Sequence, residues 1–273
     1  MLEKFISNKV DTRLLLLATI LAVSPLYTFG YLLLCVYGAR RLHFIKSLNT
    51  YFANFILTFL ILCASIMIAG VFTSYIKIPN LEIINLIITF FFITVLSFLQ
   101  PENKSNKHQV KLYDTADLAS ICAALLIPVL SGIMIMSSIG YGGMIYRLAA
   151  TGAWDGVQHF SFLQVDSINN NYILDTSPAI IDGETISNDY PQGWHLASSD
   201  IANGLYPGVF DTKSSGMKAS LSAYAIVVFI WYFLVLYLIL KFVSYQLPST
   251  RKSILRAFLL IIVAQFVAIT ILL

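Results

Sequence analysis

The sequence predicts an all-α, polytopic transmembrane protein with about six spans and one large external loop. Of its 273 residues, 58% are hydrophobic and only 11% are charged, and the mean hydropathy is +0.79. A soluble domain is nearer a quarter charged, so this chain needs a bilayer as its solvent. The formal net charge of +3 is small for this length and does not indicate a nucleic-acid partner.

The spans are predicted from uninterrupted apolar runs. A spanning helix needs about 20 apolar residues, and six runs qualify: Leu14–Tyr37, Tyr51–Tyr75, Leu81–Leu99, Leu118–Ile139, Ala219–Val243 and Ile254–Leu273. Pro25 interrupts the first run. We expect a kink there, and the alternative is a re-entrant hairpin, which would reverse the topology of everything before it.

The basic residues orient the spans, because Lys and Arg collect in cytoplasmic connections. They cluster in the first, third and fifth connections, at Arg40, Arg41, Lys46, Lys104, Lys107, Lys111, Lys241, Arg251, Lys252 and Arg256. With six alternating spans, these connections are cytoplasmic, and the N-terminus and the segment 141–218 lie outside. Lys4, Lys9 and Arg13 act against that placement of the N-terminus.

The segment 141–218 divides the chain into three regions: four spans in 1–140, the loop itself, and two spans in 219–273. The loop has eight acidic and three basic residues, a net charge of −5. Ordered loops of this length usually carry function. We expect short interfacial helices at Trp154–Asp166 and Trp194–Ile201, separated by an irregular stretch. The chain ends inside an apolar run, so we expect it to be the N-terminal part of a longer protein.

The first candidate motif is Asp155 with His159. These residues are four apart and share one face of a helix, to which Asp166 returns eleven residues after Asp155. A carboxylate near a membrane surface can act as general base, and an imidazole can hold a phosphate. Alternatively, Asp155 is a helix N-cap and His159 a packing residue. We expect Asp166 to be solvated.

The second motif is Tyr190-Pro191-Gln192-Gly193-Trp194-His195. Proline and glycine predict a turn into a helix, which places His195 near a helix N-terminus that favours anions. Trp194 is either an interfacial anchor or a platform on which a sugar stacks.

An Asp-x-x-x-His pair followed by Tyr-Pro-x-Gly-x-His in one external loop resembles the GT-C superfamily of polytopic glycosyltransferases. It is most similar to bacterial members of the arabinosyl- and mannosyltransferase type. The resemblance implies transfer of a sugar from a polyprenyl-phosphate donor to a glycan or lipid acceptor on the outer face of the bacterial cytoplasmic membrane. It implies that Asp155 is the base and that the donor and acceptor bind near His159, Tyr190, Trp194 and His195. Some relatives use a divalent metal, but this sequence shows no clear ligand set, so we assign no cofactor.

Two other classes of function compete with a transferase. A transporter places ionisable residues within the bilayer and often has repeated halves, whereas the polar residues here concentrate in the loop. A non-catalytic scaffold binds a partner through the loop. It predicts that Asp155, His159 and His195 do not converge, whereas a transferase predicts that they line one cavity.

Overall fold

The computed structural model describes residues 9–22, 24, 26–42, 48–99, 111–146, 155–169, 172, 179–181, 184–186 and 192–246. The described part is helical apart from one short antiparallel hairpin. Its elements are α1 (Lys9–Ala22), α2 (Tyr27–Arg41), α3 (Tyr51–Tyr75), α4 (Leu81–Phe98), α5 (Thr115–Tyr146), α6 (Asp155–Asn169), β1 (Ala179–Ile181), β2 (Glu184–Ile186), α7 (Gly193–Leu205), α8 (Thr212–Ser215) and α9 (Met217–Gln246). The expected span 254–273 lies outside the described residues.

Three described helices are long and apolar enough to cross a membrane: α3, α4 and, over Met217–Tyr245, α9. They coincide with the second, third and fifth apolar runs of the sequence. The fourth run lies within α5, where Gly140, at φ +72°, interrupts the helix one residue after the expected end of the span. Helix α3 begins where the Thr50 side chain accepts a hydrogen bond from the Ala53 amide, which satisfies one of the amides at its N-terminus.

The first apolar run forms two short helices instead of one kinked span. Helices α1 and α2 have 14 and 15 residues, or about 21 Å each, which is short of the roughly 30 Å hydrocarbon core. Asp11, near the start of α1, lies 2.7 Å from Arg40 Nε and 3.2 Å from Arg41 Nε at the end of α2. The two helices are therefore antiparallel. Our expectation of one kinked span is wrong, because the run folds into a helical hairpin.

A buried ion cluster joins three helices at one end of the bundle. The first amides of α3 bond to the backbone carbonyls of residues 111–112. Lys241 Nζ of α9 lies 2.6 Å from Asp114 Oδ1 and 2.9 Å from Asp117 Oδ1, and the Tyr237 hydroxyl also donates to Asp117. The ion pairs of the α1–α2 hairpin lie at this end too, since the last turns of α2 pack on the first half of α3. We call it the basic end.

Helix α7 lies among the apolar helices and not on their ends. A Cβ on Gly193 would contact Met67 of α3, and the Trp231 indole N–H of α9 donates to the Ser198 hydroxyl at 2.8 Å. Trp231 is fourteen residues beyond the start of α9, or about 21 Å along its axis. Helix α7 therefore packs against the sides of α3 and α9. The close fit is helped by small side chains, since three of the six buried residues of α7 are Ala197, Ser198 and Ser199.

The tip of the α1–α2 hairpin meets α7 inside the bundle. The Tyr27 hydroxyl donates to the Asp200 carbonyl at 2.8 Å. One turn further along α7, a Cβ on Gly204 would overlap the Thr28 hydroxyl and come within 2.7 Å of the Tyr27 ring. Only glycine at 204 allows this approach. The hairpin begins at the basic end and the loop begins at the opposite end. Their contact inside the bundle depends on the backbone carbonyl of Asp200 and on the absence of a side chain at Gly204.

Substitution of Gly204 tests this contact. Gly204→Ala should lower the stability of the purified protein by about 1–3 kcal/mol, because the added methyl group overpacks a site with no space. Addition of Thr28→Ala should restore part of the loss, since it removes the atom that the methyl group would overlap. Thermal unfolding in detergent measures both effects.

Gly142→Ala is the matched control, because nothing lies within 4 Å of a Cβ at that helical position. It should be neutral, or stabilising by up to about 1 kcal/mol. Equal melting temperatures for the Gly204 and Gly142 variants would rule out the close contact of the hairpin with α7.

Candidate functional site

The candidate site lies between α6 and α7, which run parallel. His159 contacts His195, and two turns later Ser167 bonds with Asn203 through both of its oxygens. Both pairs are separated by 36 residues in sequence, and a constant separation requires that the two helices point the same way. Their N-terminal turns therefore lie side by side, and the positive ends of two helix dipoles face the same region.

The centre of the site is a pair of hydrogen-bonded imidazoles. His159 Nδ1 lies 2.7 Å from His195 Nε2, and the rings are stacked with centroids 4.9 Å apart. One nitrogen must donate and the other accept, so a single proton lies between them. His195 is buried and His159 is partly exposed.

Aromatic side chains surround the pair. Trp194 meets both imidazoles edge-on, with centroids 5.7 Å from His159 and 4.9 Å from His195. Phe162 lies 5.0 Å from His195, and Trp231 extends the cluster to α9, 6.5 Å from Trp194. Rings of this kind exclude water and offer flat apolar faces. Trp194 thus packs within the protein beside the candidate ligand groups, and it is half-buried.

The structure brings together three of the five predicted site residues: His159, Trp194 and His195. Asp155 is the first residue of α6, one helical turn before His159, so its backbone begins the helix that carries the pair. The Asp155 side chain lies outside the described residues, as does all of Tyr190. The predicted role of Asp155 as base, and its alternative as N-cap, both stay predictions.

Asp166 is fully buried, and our expectation that it is solvated is wrong. Residues 160–164 of α6 are all buried as well, so this helix has no solvated face in its central turns. Tyr172, three residues after the end of α6, contacts α3, where its hydroxyl donates to the Met67 carbonyl at 2.6 Å. Burial raises the pKa of Asp166 to about 8, and neither of its oxygens has a hydrogen-bond partner among the described residues.

Asp200 of α7 is a second buried carboxyl group, one that the sequence did not single out. Its Oδ2 accepts a hydrogen bond from the Tyr31 hydroxyl of α2 at 3.1 Å. Burial, with a smaller effect of Glu82, raises its pKa to about 8. Residues 198–200 are consecutive and polar, so they point to different faces of the helix, and no periodicity marks Asp200 as buried.

A metal centre has no complete ligand set in the part of the chain that the structure describes. No group of three or more His, Cys, Asp or Glu side chains converges there. His159 and His195 could supply two nitrogen ligands, but a catalytic zinc site usually has three protein ligands. The described residues therefore assign no metal to the pair.

No family model, curated protein or solved structure matches this chain. The functional argument consequently depends on the chemistry of the site. An imidazole pair at two helix N-termini, enclosed by aromatic rings, can bind an anion, move a proton or stabilise a leaving group.

A double-mutant cycle tests the imidazole pair. His159→Ala and His195→Ala should each destabilise the protein, but the double variant should cost about 1 kcal/mol less than the two losses added together, because the hydrogen bond can be lost only once. Thermal unfolding at neutral pH measures this coupling.

Ser167→Ala combined with His195→Ala provides the control cycle, because Ser167 lies two turns further along α6. These losses should add to within about 0.5 kcal/mol. A coupling of zero between His159 and His195 at neutral pH would contradict the pairing.

Proposed function

We propose that the chain acts in a membrane glycosyltransferase that moves a sugar from a polyprenyl-phosphate donor to a glycan or lipid acceptor on the outer face of a bacterial cytoplasmic membrane. One observation carries the proposal: His159 and His195, from two separate motifs, meet at the N-terminal turns of parallel helices. A transferase requires this convergence, whereas a non-catalytic scaffold does not predict it.

The proposed chemistry divides the site between a base and an anion pocket. Asp155 removes the proton of an acceptor hydroxyl, which then attacks the anomeric carbon of the sugar. The imidazole pair and the N-terminal turns of α6 and α7 stabilise the departing polyprenyl phosphate. Trp194 provides an aromatic surface for the sugar ring. The low local dielectric of the aromatic surround strengthens each of these interactions.

We also propose five crossings and one re-entrant hairpin in place of six spans. The hairpin α1–α2 enters and leaves at the basic end, and α3, α4, α5, α9 and the run 254–273 cross. This puts the N-terminus on the cytoplasmic side, where Lys4, Lys9 and Arg13 obey the positive-inside rule. The ion pairs of Asp11 with Arg40 and Arg41 support this arrangement, since they hold the start of α1 beside the end of α2.

Reporter fusions distinguish the two topologies. A fluorescent protein that matures only in the cytoplasm should be bright when it is fused to the N-terminus. A chain with six alternating spans puts the same fusion outside and leaves it dark. A fusion after residue 246, cytoplasmic in both topologies, controls for expression.

The transfer reaction is tested with the full chain in lipid nanodiscs and a radiolabelled polyprenyl-phosphate sugar. Asp155→Asn should lower transfer by at least about a hundredfold, the scale expected for the loss of a general base. His195→Gln should also lower transfer. Asp211→Asn, a carboxylate of the same loop that caps α8, should retain full activity. Equal activity of the Asp155 and Asp211 variants would exclude Asp155 as the base.

A transporter is the second candidate, and two described residues favour it. Asp166 and Asp200 are fully buried carboxyl groups on helices packed among the spans, and buried ionisable groups of this kind mark ion and proton pathways. The same preparation separates the two functions. Accumulation of the sugar inside proteoliposomes with no glycosylated product would support transport and exclude transfer.

A further inference from the structure

The contact between the hairpin tip and α7 contains a buried acid with an incomplete set of hydrogen bonds. Asp200 is completely inaccessible to solvent. Its Oδ2 accepts one hydrogen bond, from Tyr31, and its Oδ1 has no partner within the described ranges. The Thr28 hydroxyl, buried at the same contact, also has no partner among those residues. An ionised carboxylate in such a place would lose its whole hydration shell and would have one hydrogen bond to replace it.

The surrounding charges do not stabilise an ionised form of Asp200. Glu82 of α4 is the charged group that acts on it, and its effect raises the pKa, while the hydrogen bond from Tyr31 lowers it. Other titratable groups on the helices packed against α7 include Tyr27 and Cys35 on α2, Cys63 on α3, His159 and Asp166 on α6, and Tyr224 and Tyr232 on α9. Helix α9 also brings the indole of Trp231. The described ion pairs of Arg40, Arg41 and Lys241 all lie at the basic end.

A buried carboxyl group without a counter-ion has two physical solutions: it holds a proton or it holds a cation. A cation requires several oxygen ligands that converge on it. Tyr31 instead donates its proton to Asp200, and Tyr27 donates to the carbonyl of the same residue. These hydroxyls act as donors and not as ligands of a cation, and no group of three or more His, Cys, Asp or Glu side chains converges on Asp200 among the described residues, so the proton is the solution that remains.

We propose that Asp200 is a proton-binding site whose neutral acid keeps the hairpin tip docked on α7, and that release of the proton loosens this contact. Deprotonation puts a negative charge on Asp200, beside Tyr27 and Tyr31 and close to the contact at Gly204. Water can reach this charge only if α2 and α7 separate. The site thus links pH to the packing of the hairpin beneath the loop, and the link does not depend on the proposed transferase activity.

The direction of the pH effect follows from the raised pKa. The folded protein holds the Asp200 proton up to a pH of about 8, whereas an unfolded aspartate releases it near pH 4. Between these values the folded state binds one more proton than the unfolded state. The stability that Asp200 contributes is therefore present in acid and is lost as the pH rises towards about 8.

Infrared difference spectroscopy of the full chain in nanodiscs tests the site directly. The wild type should show the carbonyl stretches of two protonated carboxylic acids at neutral pH, since burial raises the pKa of both Asp200 and Asp166 to about 8. Asp200→Asn should remove the component of Asp200, whereas Asp166→Asn, the matched buried carboxyl variant, should remove the other component and leave that of Asp200 in place. Tyr31→Phe should shift the titration midpoint of Asp200 to higher pH, because it removes a hydrogen bond that favours the ionised form.

Thermal unfolding provides the second measurement. The melting temperature of the wild type should fall as the pH rises from 6 to about 8, and Asp200→Asn, which mimics the neutral acid, should reduce that fall. An infrared spectrum at neutral pH that Asp200→Asn leaves unchanged would overturn the proposal. So would restoration of the melting temperature at high pH by sodium but not by choline, which identifies a bound cation. If the Asn variant does not fold, the midpoint of Tyr31→Phe decides, and a midpoint that does not move contradicts the site.

Discussion

The rest of the structure depends on one constraint: a polar helix is packed inside an apolar bundle. Lipid offers no partners to polar groups, so the polar groups of α7 that form hydrogen bonds must form them within the protein. Ser198 takes the indole N–H of Trp231, the Asp200 carbonyl takes the Tyr27 hydroxyl, and His195 takes His159. These partners come from α9, α2 and α6. The position of α7 therefore determines how far the hairpin reaches into the bundle. It also determines the direction of α6, which runs parallel to α7.

Apolar length predicts most of the helices that could span the membrane. Helices α3, α4 and α9 coincide with runs visible in the sequence, because burial of a whole helix in lipid requires nothing except length and composition. Local signals also place α6 and α7, through the residues that begin them. The prediction for the first run was wrong because a proline in an apolar stretch permits both a kink and a turn. The ion pairs of Asp11 with Arg40 and Arg41 decide between them, and they join residues almost thirty positions apart.

Some features of the candidate site could likewise be predicted from the sequence, and others could not. The convergence of His159 and His195 agrees with the order and spacing of two motifs in one loop. The burial of Asp166 was not predictable, since the surfaces that enclose α6 come from α7, from α9 and from Tyr172. Phe160, for example, packs edge-on against Tyr224, 5.9 Å away on α9. Asp200 was missed for a related reason: the hairpin tip that covers it is a feature that the sequence left open.

The ion cluster at the basic end has a consequence for biosynthesis. Lys241 lies in α9 and its partners Asp114 and Asp117 lie at the start of α5, so more than a hundred residues of chain are made between them. Until α9 is made, Asp114 and Asp117 lie at the basic end without their cation. The ion pairs can form only when the end of α9 reaches the start of α5, so the final packing of the early helix is completed by the late one.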